Sequence, residues 1–154
     1  MTVSLHDDEA PFSLPPGYAL HLLLLEDDAA LSHALVQTLR THHPAVHLIT
    51  ASSVEQALGT LQAYAVNLIV TDIHLPGVQG ITFIRRLWER GWHGAVIVMS
   101  GDGIEAIAET PELLQISGVL AKPFELTALV AAVGVAVKNI PSQYPEERKD
   151  YAFD

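Results

Sequence analysis

Short apolar runs alternate with amphipathic stretches along this chain. The apolar runs are rich in Leu, Ile and Val and carry almost no charge, which is typical of strands buried on both faces of a parallel sheet. The predicted strands cover residues 20–25, 46–51, 66–72, 95–99 and 118–121.

The stretches between these runs place apolar residues three or four positions apart, as an amphipathic helix does. Ser53 and Gln56 form a capping-box signature before one stretch, and Gly91 is a stop signal after another. Pro111 interrupts a further stretch, so we expect a short or broken helix there. The predicted helices cover residues 29–40, 53–64, 81–90, 102–117 and 125–138.

Five strands that alternate with five helices predict an α/β fold, a doubly wound five-stranded parallel sheet with helices on both faces. We expect one domain at residues 20–140. A polar, acidic and proline-bearing extension, residues 1–19, precedes it, and a polar tail, residues 141–154, follows it.

The composition narrows the classes of function. The chain has 154 residues and a formal net charge of −10, with only eight Lys and Arg. No basic patch of the kind that grips a phosphate backbone is visible, which argues against direct nucleic-acid binding. The chain contains no Cys, which excludes disulfides and thiol chemistry.

Signals for secretion, membrane insertion and nucleotide binding are missing from the sequence. The amino terminus lacks the basic and apolar segments of a signal peptide. The longest charge-free apolar tract, residues 126–137, is shorter than the ~20 residues that a membrane-spanning helix needs. We therefore expect a cytoplasmic protein that does not enter a membrane. No G-x-G-x-x-G follows the first strand and no G-x-x-x-x-G-K-[ST] occurs, which weighs against dinucleotide and P-loop chemistry.

Polar residues of unlike type stand at the carboxyl ends of four predicted strands. Glu26 and Asp27 follow the first strand, Asp72 ends the third, Ser100 follows the fourth and Lys122 follows the fifth. In a parallel sheet these ends share one edge, which is where open α/β sheets bind their ligands. We therefore expect the five side chains to converge.

Three carboxylates that converge repel one another and require a counter-charge. An all-oxygen cluster open to water suits Mg²⁺, which binds through one or two carboxylates and keeps several waters. Lys122 can hold phosphate oxygens as a point charge, and Ser100 can donate a hydrogen bond to them. Asp72 is then the natural nucleophile for an aspartyl-phosphate.

Four stretches that contain these residues resemble the receiver domain of bacterial two-component response regulators. They are residues 22–28, 68–80, 96–101 and 118–124, and the resemblance covers about residues 20–138. The resemblance implies a flavodoxin-like receiver fold of the stand-alone, chemotaxis type. It also implies a phosphoryl donor, either a histidine kinase, a phosphotransfer protein or a small phosphodonor.

The resemblance assigns a role to each residue at the strand ends. Glu26 and Asp27 would hold Mg²⁺ together with Asp72 and the backbone carbonyl of His74. Asp72 would accept the phosphoryl group. Ser100 would be the switch hydroxyl and Lys122 the phosphate contact, and the Lys122–Pro123 peptide bond would be cis.

The sequence departs from the receiver pattern at several positions. Val119 stands where the family usually carries Tyr or Phe, so we expect output through a backbone or helix shift near residues 102–117. Gln79 replaces an acidic residue that is common in the family. His74 and Asp102 flank the path of an attacking water, so we expect them to influence the lifetime of the phosphoryl group.

The last predicted helix is apolar on all sides, with no charge between Glu125 and Lys138. A helix of this kind is usually covered on both sides. The pattern predicts a dimer or partner interface on this helix; the alternative is that helix-forming alanines are simply exposed.

Two groups of residues have a structural interpretation. Asp28 is interpreted as a helix cap rather than a metal ligand. His42, His43 and His47 are interpreted as surface residues rather than a metal site.

Three hypotheses follow for function. The first is a phosphorylatable receiver that signals by protein–protein contact, or shuttles phosphoryl groups in a relay, and that catalyses only its own phosphorylation and dephosphorylation. The second is an aspartate-nucleophile phosphatase of the haloacid dehalogenase type, which would need a second Asp where the chain has His74. The third is a degenerate receiver that serves as a docking module; Val119 leaves this possibility open.

Overall fold

The central feature of the fold is a five-stranded parallel sheet. The computed structural model describes residues 20–75, 78–101 and 116–143. The sheet strands are β1 (Leu20–Leu25), β2 (Val46–Ala51), β3 (Val66–Asp72), β6 (Ala95–Ser100) and β7 (Gly118–Ala121). Two short strands, β4 (His74–Leu75) and β5 (Val78–Gln79), lie outside this sheet. Their spatial order is β2-β1-β3-β6-β7, which puts β3 in the centre and confirms the predicted fold class.

Four helices connect or follow these strands in the described part of the chain. They are α1 (Ala29–His42), α2 (Val54–Ala63), α3 (Gly80–Glu89) and α4 (Leu126–Gln143). The predicted helix within residues 102–117 falls almost entirely outside the described residues. Within the described ranges, no helix is both long enough and apolar enough to cross a membrane.

The core is divided between the two faces of the sheet. Leu22 and Leu24 of β1 pack on one face with residues of α1 and α4. Leu23 and Leu25 of the same strand pack on the other face with residues of α2 and α3. Successive side chains of a strand point to opposite faces, so a strand covered by helices on both sides must be apolar throughout.

Side-chain caps fix the starts of two helices. The Asp28 carboxylate accepts a hydrogen bond from the Leu31 N–H at 3.1 Å, which confirms the predicted cap of α1. The Ser53 hydroxyl accepts one from the Gln56 N–H at 3.2 Å. The Gln56 side chain accepts a hydrogen bond from the Ser52 N–H at 2.8 Å. In a capping box it would accept this bond from the N–H of the cap residue, Ser53.

The last helix extends past its predicted end near Lys138 and runs to Gln143. Ile140 is buried in the same core as Val137, so apolar packing continues beyond the first charged residue. The prediction placed the end of the helix at the first change in polarity, and packing overrides that signal. The boundary between domain and tail at residue 140 remains a prediction.

The histidines interpreted as surface residues differ in exposure. His42 and His47 are exposed, as predicted, whereas His43 is half-buried. The His43 ring Nε2 lies 3.1 Å from the backbone carbonyl oxygen of Val130. His43 therefore joins the end of α1 to α4, a contact that sequence spacing could not reveal.

Candidate functional site

Three carboxylates meet at the carboxyl edge of the sheet. Glu26 and Asp27 directly follow β1, and Asp72 is the last residue of the neighbouring strand β3. One oxygen from each of these side chains lies within 4.8 Å of the others. The predicted convergence of the acidic residues is therefore confirmed.

Lys122 joins two of these carboxylates. It follows β7, and its Nζ donates hydrogen bonds to Glu26 Oε1 at 2.8 Å and to Asp72 Oδ2 at 2.5 Å. The carboxylate side chains are 1% and 10% exposed, whereas the lysine side chain is 25% exposed. A largely buried pair of negative charges is thus bridged by one ammonium that still reaches solvent. The peptide bond from Lys122 to Pro123 is cis, as predicted.

Backbone N–H groups hold the second oxygen of each bridged carboxylate. Asp72 Oδ1 accepts a hydrogen bond from the His74 N–H at 2.9 Å. Glu26 Oε2 accepts one from the Asp28 N–H at 3.0 Å. Each carboxylate is therefore held by one backbone donor and one ammonium, so its orientation is fixed before any ligand arrives.

Burial and charge act in opposite directions on the ionisation of this pocket. Burial raises the pKa of the Glu26 carboxyl, and this effect exceeds the opposing effects of Lys122 and the Asp28 N–H. Burial alone would lower the pKa of the Lys122 ammonium, but its bonds to Asp72 and Glu26 outweigh that effect and raise it. The lysine is therefore firmly protonated, and the Glu26 carboxyl holds its proton more tightly than an ordinary glutamate does.

The acidic cluster is open to solvent on the side of Asp27, which is exposed. A cleft of about 430 Å³ adjoins this side; it lies between α1 and the end of β2. A set of carboxylate oxygens with one exposed member fits a hard divalent cation that keeps several of its waters. The residues present therefore fit the predicted Mg²⁺.

Ser100 and His74 lie beside this pocket. Ser100 is buried at the end of β6, directly after Met99, which is the strand partner of Asp72. Its carbonyl accepts a hydrogen bond from the Lys122 N–H at 2.6 Å, so the backbone of Ser100 positions the lysine. The roles of the Ser100 hydroxyl and of the His74 carbonyl remain predictions.

The loop after Asp72 contains features that the sequence pattern did not predict. Two short strands, β4 (His74–Leu75) and β5 (Val78–Gln79), form an antiparallel pair. The carbonyl oxygen of Asp72 accepts a hydrogen bond from the buried Thr71 hydroxyl at 2.9 Å. A Cβ at Gly80 would lie 2.3 Å from the same carbonyl oxygen, so only glycine allows α3 to begin this close to β3. Only the glycine itself, at the end of the loop, could have signalled this contact.

The departures from the receiver pattern have different outcomes. Val119 is half-buried and packs against the core on the α2 and α3 face, so an aliphatic side chain stands at that position. Asp102 lies outside the described residues, and the Gln79 side chain is not described. The effect of Val119 on output, and those of His74 and Asp102 on phosphoryl lifetime, remain predictions.

Known proteins match this chain over most of its length. The family of response regulator receiver domains matches residues 22–134 of this chain. The transcriptional regulatory protein FixJ of Azorhizobium caulinodans is 31% identical over 134 residues, which are 87% of this chain and 62% of FixJ. The regulatory protein VirG of Agrobacterium tumefaciens is 28% identical over 86% of this chain and 49% of VirG. The chain thus spans about half to three-fifths of these relatives.

Solved structures agree with the sheet order and the helices. The signal receiver domain of an HD domain-containing protein from Pseudomonas fluorescens Pf-5 superposes with a TM-score of 0.72 at 25% identity, over 81% of this chain and 99% of that one. A CheY-like receiver domain from Methanospirillum hungatei JF-1 gives a TM-score of 0.71 at 17% identity, over 82% of this chain and 100% of that one.

Proposed function

We propose, because the chain belongs to the response regulator receiver domain family, that Asp72 accepts a phosphoryl group in a Mg²⁺-dependent reaction. The donor is a histidine kinase, a phosphotransfer protein or a small phosphodonor. The single observation that carries this proposal is the pocket in which Asp72, Glu26 and Lys122 are joined by hydrogen bonds. Receiver domains are not conventional enzymes, and we expect stoichiometric self-modification in the cytoplasm rather than turnover of a substrate.

The transfer requires one bond to form and one to break. A carboxylate oxygen of Asp72 attacks the phosphorus, and the bond from phosphorus to the donor nitrogen or oxygen breaks with its electron pair leaving on the donor. Lys122 already contacts Asp72 Oδ2, so its ammonium is in place to offset charge on the transferred oxygens. The Ser100 hydroxyl would donate a hydrogen bond to one of those oxygens.

Glu26, Asp27, Asp72 and the His74 carbonyl would hold the Mg²⁺. The ion supplies charge stabilisation during phosphoryl transfer. The three carboxylates are close enough to share one cation, and the His74 N–H already orients Asp72. Glu26 is fixed by the Asp28 N–H, so only small side-chain adjustments are needed when a cation binds.

The test is labelling with acetyl phosphate, followed by mass spectrometry of the intact protein. We expect one phosphoryl group per chain with Mg²⁺, none with excess chelator and none in Asp72→Asn. Asp28→Asn is the matched control, because Asn caps a helix as well as Asp does and the residue is next to the metal ligands. Equal labelling of wild type and Asp72→Asn would refute the assignment. Rapid turnover of a phosphate ester would favour the phosphatase instead.

A second candidate is a docking module that acts without phosphorylation. The observation in its favour is the aliphatic residue at Val119, which removes the aromatic ring that usually accompanies signalling in the family. A pull-down with wild type, Asp72→Asn and beryllofluoride-treated protein separates the two. Partners that bind all three forms equally, with no labelling by acetyl phosphate, would support the docking module.

The output surface that we propose is on α4. Val135 is 60% exposed on an otherwise apolar helix. A second copy of the chain or a downstream protein would cover it. Light scattering with and without beryllofluoride tests the dimer; a monomer in both states would remove it, and a Val135→Lys variant should abolish any dimer seen.

A further inference from the structure

A second cleft lies at the opposite end of β1 from the acidic pocket. It has a volume of about 500 Å³ and wraps around the edge strand β2. Its lining combines apolar residues such as Leu48 and Ile49 with the polar residues His21, Arg40, His47 and Tyr64. Apolar walls with a few convergent polar groups are typical of sites for small molecules.

Three aromatic rings form one wall of this cleft. His21 and His47 are directly paired across β1 and β2, and their ring centroids lie 5.2 Å apart with the planes 29° from parallel. The ring of Tyr64 lies 5.5 Å from that of His21 on the other side. His47 and Tyr64 are exposed, so the row of rings presents flat faces and edges to a ligand.

The cleft presents one permanent cation, Arg40, and no carboxylate is among the described residues that line it. The whole chain has a net charge of −10 and eight Lys and Arg, so this lining is the reverse of the average surface. At physiological salt, charges more than about 8 Å away are largely screened, and the local groups decide which ligands bind.

We infer that this cleft binds a small organic anion with a flat apolar body, of which an aromatic carboxylate is the simplest case. The guanidinium of Arg40 pairs with the anionic group, and the planar body lies against the rings and the aliphatic side chains of β2. His21 lies five residues, about 16 Å, from Glu26 along β1, whereas Arg40 borders both this cleft and the cleft beside the acidic cluster.

The probe is 1-naphthoate, titrated into the full chain and followed by two-dimensional NMR. We expect shifts concentrated at residues 20–21, 40, 46–49 and 64. Acetate tests the anionic group alone, and 1-naphthalenemethanol tests the ring system alone. Both should bind at least tenfold more weakly than 1-naphthoate.

Two variants test the lining. Arg40→Gln should weaken 1-naphthoate binding at least fivefold, and His47→Ala, which removes one ring of the row, should weaken it as well. Both side chains are exposed, so neither change should unfold the chain. Arg86→Gln, at an exposed position on α3, is the control and should bind as wild type does.

Three outcomes would overturn the inference. They are shifts that lie elsewhere, naphthalenemethanol that binds as well as naphthoate, and unchanged affinity in Arg40→Gln. Labelling of Asp72 by acetyl phosphate is measured on the His47 variant, because His47 lines this cleft and not the one beside the acidic cluster. It should be unaffected, so failure of the anion site is distinguishable from failure of the phosphoryl acceptor.

Discussion

Replacement of Lys122 by Met tests whether one ammonium balances the acidic pocket. The change keeps the length of the side chain and removes the donor that joins Glu26 to Asp72. Two carboxylate oxygens within 4.8 Å then face each other unscreened. Their repulsion is about 3 kcal/mol at an effective dielectric of about 20.

The expected loss of stability is smaller than the sum of these interactions. Two hydrogen bonds to charged groups are worth about 1.5–3 kcal/mol each, but a quarter of the Lys122 side chain is exposed and solvent screens it. Glu26 can also take up a proton when the ammonium is gone. We therefore expect the free energy of unfolding to fall by about 2–3 kcal/mol at pH 7 without Mg²⁺.

The sign of the pH dependence follows from the two raised pKa values. The raised pKa of Lys122 means that its contribution is complete at neutral pH and is lost only as the pH rises through the folded-state value. Burial raises the pKa of Glu26, so its bound proton stabilises the folded chain at low pH, and this contribution disappears as the pH rises through the folded-state value. The variant should therefore approach wild type as the pH falls towards 4.

Urea unfolding followed by tryptophan fluorescence measures these differences. Trp92 is 1% exposed and its indole N–H donates to the Val66 carbonyl at 3.0 Å, so unfolding changes its surroundings. Lys138→Met removes an exposed lysine of α4 and should change stability by less than about 0.5 kcal/mol. A Lys122→Met variant as stable as wild type at pH 7, or equally destabilised at pH 4 and pH 7, would refute the charge-balance explanation.

Three further changes have defined outcomes. Gly80→Ala should lower the free energy of unfolding by more than about 2 kcal/mol and slow Asp72 labelling, because the new Cβ would lie 2.3 Å from the Asp72 carbonyl oxygen. Gly59→Ala in α2 is the control: its new Cβ would meet no atom within 4 Å, so it should raise the free energy of unfolding by about 0.5–1 kcal/mol in the same urea assay. Mg²⁺ at 100 times its dissociation constant should add about 2.7 kcal/mol, and this increment should shrink as the pH falls through the raised pKa of Glu26, because protons compete for the carboxylate. Ile140→Ala should cost about 2–4 kcal/mol, whereas a cost near zero would mean that α4 ends before it.

The sequence predicted those parts of the fold that depend on a repeated local pattern. The strands match because burial on both faces requires uninterrupted apolar runs, and the convergence of Glu26, Asp72 and Lys122 follows from parallel strands sharing one edge. The cap at Asp28 was predictable because it is a local hydrogen bond.

The remaining features depend on contacts between residues distant in sequence. The contact between His43 and Val130 spans 87 positions. The end of α4 depends on the burial of Ile140 against the core, and the pairing of His21 with His47 depends on the register of two strands. None of these contacts leaves a periodic trace in the sequence.

Stiffness varies across the sheet from its centre to the β7 edge. All seven residues of β3 are buried, whereas three of the four residues of β7 are half-buried and Ala121 is exposed. Displacing β3 would disturb both halves of the core, but β7 can shift at lower energy because fewer contacts would be lost. Lys122 connects Asp72 to the carboxyl end of that softer strand. A chemical change at the buried centre therefore acts, through one side chain, on an edge strand that is held by fewer contacts.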